Sequence, residues 1–233
     1  MVYKKTWKYI LYKDYSEYCT LYNYYRPKAL KNFSDVTKGD VGGFVKGFYN
    51  LSQSGICWAY DEAVICEKAF VSDNAKVKDT STVAGDAKIF CNAVISGNTL
   101  ISDNVKVSGS AQVYGRAQVY GNAQVSGTAK VYDYARVLEN SIIKDSSMIY
   151  DEAVIRGNAI ITGNAEISGK ARICRNAKIY EDVIISGCII ITDNAQIYGK
   201  SYLTENSLII GENTIIKDNK NILWYIKNPG NIF

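Results

Sequence analysis

No histidine occurs among the 233 residues. That absence removes imidazole as a general base, as the partner of a nucleophilic cysteine, and as a metal ligand. Proline is nearly absent, with Pro27 read as a strand break and Pro229 as a turn. Residues 1–20 hold no apolar run of signal-peptide length and no stretch approaches a membrane span, so a cytoplasmic chain without membrane contact is expected. No glycine-rich loop follows a strand and opens a helix, and outward threonines are too scattered for an ice-binding ladder. No metal set and no cofactor fingerprint is legible, so neither is expected.

What the chain does have is one pattern of six. From Ile56 to Lys217 it runs through NAKVKD, NAVISG, SAQVYG and NAQVSG, 27 hexads over 162 residues with no slip in phase. The second position is small and usually alanine, and the fourth is aliphatic in every hexad except the one holding Ala59. The sixth is Gly, Asp or Glu with few exceptions, and Asn often follows it. Alternation of buried second and fourth positions with polar third and fifth positions is strand periodicity, and the sixth and first positions make a corner. Gly and Asn suit a corner because they tolerate positive φ.

A strand this short buries its inward face only by stacking on copies of itself. Three sides of six residues make a triangular coil, so 27 hexads predict nine coils and a prism about 43 Å long. The string [Ile/Val]-x-[Gly/Asp]-Asn-Ala-x resembles the hexapeptide repeat of left-handed parallel β-helix proteins, a superfamily best known for acyltransferases. The resemblance covers about two thirds of the chain and implies an all-β, left-handed parallel β-helix. Left-handed winding rests on that resemblance alone, since ordinary crossovers favour the other hand.

Residues 1–55 lack the hexad and carry Tyr, Lys and Trp in short runs such as Tyr3, Trp7, Tyr9 and Tyr12, then Tyr22, Tyr24 and Tyr25. Two or three strands are expected there, with turns at Gly39, Gly42 and Gly43, forming a β cap over the open end of the coil. Most of the basic excess also lies here: residues 1–50 hold nine Lys or Arg against four acids. A nucleic-acid contact is the less favoured use of that surface. The arrangement Phe33, Asp35, Val36, Gly39, Asp40, Gly42, Gly43 and Phe44, then Asn50-Leu51-Ser52, is similar to the leader of hexapeptide-repeat proteins from bacteria and their phages. Residues 218–233, with Leu223, Trp224, Tyr225 and Ile226, are expected to cover the other end or fold back along a side.

Residues eighteen apart should stack. That places Asn104, Asn122, Asn140, Asn158, Asn176 and Asn194 in one column, expected to hydrogen-bond along the axis. Six cysteines are present; Cys57 points inward, the outward Cys66 and Cys174 lie six coils apart, and Cys91 and Cys188 sit at different corners. No disulfide among these five is expected, and Cys19 lies outside the repeat.

With sides named A, B and C for the hexads opening at Ile56, Glu62 and Lys68, side A stacks Tyr114, Tyr132 and Tyr150, a packed column or a docking stripe. Side B carries every arginine of the repeat: Arg116, Arg136, Arg156, Arg172 and Arg175. Lys170 adds to them, and Glu139 and Glu152 oppose them. Guanidinium forks on a rigid sheet suit phosphate or carboxylate. Arg136, Arg156 and Arg172 are the expected grips. Outward Ile142, Met148, Val154, Ile160, Ile184 and Ile190 offer a rival use as a dimer or trimer contact.

The family resemblance implies acyl transfer with a histidine base, or a carbonic anhydrase metal held by three histidines. Neither carries over to a chain without histidine, and the strict phase leaves no room for the long extruded loop those acyltransferases carry. The expected function is therefore a non-enzymatic binding or scaffold protein, plausibly phage-encoded, that engages a protein or an anionic small molecule and sequesters a host factor or nucleotide signal. The alternative is a degenerate acyltransferase working at a trimer interface.

Overall fold

A computed structural model of the chain describes residues 7–13, 23–204 and 206–218. Tyr3, Cys19, Tyr22, Leu223, Trp224, Tyr225 and Ile226 lie outside the described residues.

From Trp58 to Ile185, before strands lengthen in the last coils to Cys188–Ile191 and Asn206–Ile210, only the third and fourth positions of each hexad are strand, as in Gln112–Val113, Gln118–Val119 and Gln124–Val125. Each pairs in parallel with the strand eighteen residues away, so that Gln118 lies against Leu100 on one side and Arg136 on the other. Three sheets result, making a three-sided parallel β-solenoid. Side A has nine strands from Trp58–Ala59 to Tyr202–Leu203, side B ten from Phe44–Val45 to Asn206–Ile210, and side C nine from Phe70–Val71 to Ile215–Lys217. The stack therefore begins before Ile56: Phe44 pairs with Val64, and Leu51 bridges Val71.

The core is a column of second- and fourth-position side chains. Ala111, Val113, Ala117, Val119, Ala123 and Val125, and their equivalents in the other coils, are fully buried. Each buried Val or Ile contributes roughly 1.5–3 kcal/mol. Where serine replaces alanine its hydroxyl is satisfied locally, Ser81 donating to the Lys78 carbonyl at 2.6 Å and Ser141 to that of Leu138 at 2.6 Å.

Positive φ falls on the sixth position and not on the asparagine after it. Asp103, Asp133, Glu139, Asp145, Arg175 and Asp193 all adopt it, as do Gly115, Gly121 and Gly157. A Cβ on Gly121, at φ +77, would stand 2.8 Å from the backbone of Glu139. An acid succeeds at this position because its carboxylate accepts the N–H of the corner stacked on it: Gly121 donates to Asp103 at 2.9 Å and Gly157 to Glu139 at 2.8 Å. That backbone donor is thereby satisfied without a strand partner.

Two such carboxyls are held below the usual carboxylate range. Asp145 accepts from the Thr162 hydroxyl and from Gly163 N–H at 3.2 Å; Asp193 accepts from Glu212 N–H at 3.0 Å and from Arg175. A carboxyl lowered in the folded state stabilises it fully above the unfolded value of about 3.9 and loses that contribution as pH falls through the lowered values. The melting temperature is accordingly expected to hold steady from pH 7 to about 4 and decline below it, which a thermal scan by circular dichroism across that range checks.

The asparagine column forms as expected. Asn104 donates to Asn122 at 3.0 Å, Asn122 to Asn140 at 2.8 Å, Asn140 to Asn158 at 3.1 Å, and the run continues through Asn176 and Asn194 to Asn213. Asn140→Ala removes two of these bonds and is expected to cost about 1–2 kcal/mol. An unchanged urea midpoint would show that the ladder carries no stability.

The phase of the repeat does slip, once. Cys188 pairs with Asn206 but Ile189 pairs with Leu208, so the last turn holds one residue more and stacking thereafter is nineteen apart. Ile210 and Ile216 take the inward places that the hexad count gives to Ile209 and Ile215. Ile209 is 70% exposed and Ile215 48%.

At the other end, Tyr9–Tyr12 pairs antiparallel with Arg26–Ala29. Pro27 does not break this strand. It pairs with Leu11, and its carbonyl accepts Gly42 N–H at 2.8 Å. Its missing donor limits the facing segment to isolated bridges at Tyr25–Val45 and Lys28–Val41. Nor are Gly42 and Gly43 turn residues: a Cβ on Gly43 would lie 2.3 Å from the Ala63 carbonyl oxygen, so glycine lets this segment touch the first coil. Trp58 is buried beneath it, edge-on to Tyr9 at 5.9 Å and Phe33 at 5.4 Å. Tyr9 donates its hydroxyl to the Leu51 carbonyl, and buried Lys8 donates to the Cys57 carbonyl at 2.9 Å. Lys46 lies over the Tyr24 ring at 4.3 Å, and Lys76 of the repeat pairs with Asp35 at 2.9 Å.

Candidate anion-binding face

On side B, corner residues at the first position and strand residues at the third share one shallow, open depression of about 540 Å³. Its lining is Arg116, Gln118, Tyr134, Arg136, Glu152, Val154, Lys170 and Arg172. Stacking alone brings these together: Gln118, Arg136, Val154 and Arg172 are successive rungs of one column.

Of the five arginines singled out in the sequence, three meet here and two do not. Arg116, Arg136 and Arg172 line the depression and are exposed. Arg156 is exposed at a fifth position outside the lining. Arg175 occupies a corner at φ +58 and pairs with Asp193 at 2.5 Å, which accounts for it structurally. Arg116 leans on Tyr134, its Nη1 donating to the phenol oxygen at 3.2 Å with the guanidinium 5.5 Å from the ring centroid. Lys170 lies 3.8 Å from Glu152, both well exposed, a weak pair. Among the described residues Arg136 and Arg172 have no ion-pair partner. The lining thus holds four cations and one acid, while an adjoining depression that shares Tyr134, Glu152 and Lys170 brings in Asp133 and Asp151. Glu139, the other expected opponent, is occupied by Gly157 N–H.

Among solved structures the chain is similar to the UDP-N-acetylglucosamine acyltransferase of Francisella novicida, at 11% identity and a TM-score of 0.34. The match covers 72% of this chain and 66% of that one. No family model matches, and no curated protein is similar in sequence.

The tyrosine column of side A is built as a stack. Tyr114 and Tyr132 lie 4.8 Å apart at an interplanar angle of 3°, Tyr132 and Tyr150 5.0 Å apart at 6°. Tyr132 is thus covered by a ring on each face. Burial, then the neighbouring phenols Tyr114 and Tyr150, push the Tyr132 hydroxyl up to about 12. Tyr180 and Tyr198 repeat the arrangement on side C.

The outward apolars do not gather on one side. Ile142 stacks on Ile160 on side C, Glu166 separates Met148 from Ile184 on side A, and Arg172 separates Val154 from Ile190 on side B. Cys57, Cys66, Cys91, Cys174 and Cys188 are free thiols. Cys66, expected outward, is buried in a cluster with Tyr24 and Phe44, and burial pushes its thiol up.

Proposed function

We propose that this chain is a non-catalytic, left-handed hexapeptide-repeat protein whose side B holds an anionic partner, a phosphate- or carboxylate-bearing molecule. One observation carries the reading: Arg116, Arg136, Lys170 and Arg172 line a single open depression whose lining holds one acid, Glu152. The sheet fixes the backbone positions of these residues, and each guanidinium presents a planar fork able to grip two oxygens at once. Calorimetric titration with inorganic phosphate and pyrophosphate at low ionic strength is expected to show saturable binding that weakens as sodium chloride is added. No heat from either anion would overturn the reading.

The non-catalytic part rests on the absence of histidine from the sequence and of any thiol from the lining, whose Lys170 and Glu152 are an exposed ion pair at 3.8 Å. Incubation with acetyl-CoA and an amine or alcohol acceptor is expected to release no thiol above background. Turnover would favour the degenerate acyltransferase instead.

A further inference from the structure

The depression does not stop at Arg172. A second one, of about 350 Å³, shares Lys170 and Arg172 and continues along side B over Cys188, Ile190, Leu208 and Ile209. In one strand column the rungs read Arg136, Val154, Arg172, Ile190 and Ile209. Cationic rungs thus give way to aliphatic ones within about 10 Å of Arg172.

The single slip in the repeat makes this end what it is. The extra residue before Leu208 turns Ile209 outward, and at 70% exposure it is the most exposed large apolar side chain among the described residues. An unslipped hexad would have buried it. An open aliphatic surface beside two cations, Arg172 without an ion-pair partner among the described residues and Lys170 in a weak exposed pair with Glu152, is complementary to a molecule with an anionic head and an apolar body.

We infer that the ligand of side B is a phosphate ester with an apolar body, its phosphate among Arg136, Lys170 and Arg172 and its body on Ile190 and Ile209. This rests on the anion-binding reading above. The aliphatic rungs supply contact area and no hydrogen-bond pattern, so they take an alkyl chain or the flat face of a nucleobase by the same chemistry.

The test uses the full chain and three probes: inorganic phosphate, hexyl phosphate and adenosine monophosphate. Each ester is expected to bind about tenfold more tightly than inorganic phosphate, the gain expected from covering the exposed part of one or two aliphatic side chains. The variant I190S/I209S should lose that gain while binding inorganic phosphate as the wild type does. Alkylation of the exposed Cys188 thiol, read by peptide mass mapping, should slow with either ester and not with inorganic phosphate. A stronger effect of hexyl phosphate assigns the aliphatic end to a chain, a stronger effect of the nucleotide to a base, and both support the inference. Equal affinity for all three overturns it and leaves the anion site standing; no binding of any probe overturns both. A wild-type dimer that sediments as a monomer after I190S/I209S would give the surface to a second copy and also overturn the inference.

Discussion

Serine at both Arg136 and Arg172 is expected to weaken phosphate binding by about 100-fold or more while leaving the melting temperature unchanged. Each charge-assisted hydrogen bond to an anion is worth about 1.5–3 kcal/mol, and the pair supplies at least two. The stability half follows from their surroundings. Both side chains are exposed and neither has an ion-pair partner among the described residues, and such surface changes stay within about 0.5 kcal/mol. The control is R156S/R175S, which removes the same formal charge from residues outside the depression. If that control weakens binding as much as R136S/R172S, the effect is one of overall charge and side B holds no site.

Alanine at Trp58 is expected to cost about 3–5 kcal/mol, the range for truncating a buried aromatic. Trp58 is 2% exposed and joins the N-terminal hairpin to the first coil through Tyr9 and Phe33. The loss should be local, because each coil of a solenoid contacts only its neighbours. Amide exchange is therefore expected to quicken at the Tyr25–Val45 and Ala29–Asp40 hydrogen bonds and to stay slow from Ile101 onward. Uniform acceleration along the rod would mean that the end segment and the coils unfold as one unit.

The coil itself was readable because its constraint is local and repeated. A small second position and an aliphatic fourth position admit few other arrangements, and the asparagines stack wherever the phase is kept. The slip after Leu203 was hidden by composition: Ile209-Ile210 and Ile215-Ile216 satisfy the inward place in either phase. Pro27, Gly42 and Gly43 were read by their commonest habits, whereas their roles depend on what packs against them.

The site was half legible. Sequence phase put the arginines on side B, but membership of the depression depends on position within the hexad, since every lining residue stands at a first or third place. Arg156 stands at a fifth, and Tyr134, Gln118 and Val154 announce themselves only once coils are stacked. Eighteen-residue spacing combined with that rule would have found them.

The three-sided winding also governs how the molecule tolerates a change in length. Deleting eighteen residues shortens the rod by one storey and leaves each side chain above the cut on its own wall. Deleting six swings everything beyond the cut through a third of a revolution, so that Arg116 would face one direction and Arg172 another. Both shortened rods keep the same interior. Only the first keeps its surface chemistry in line, so inheritance of that surface counts residues in multiples of eighteen.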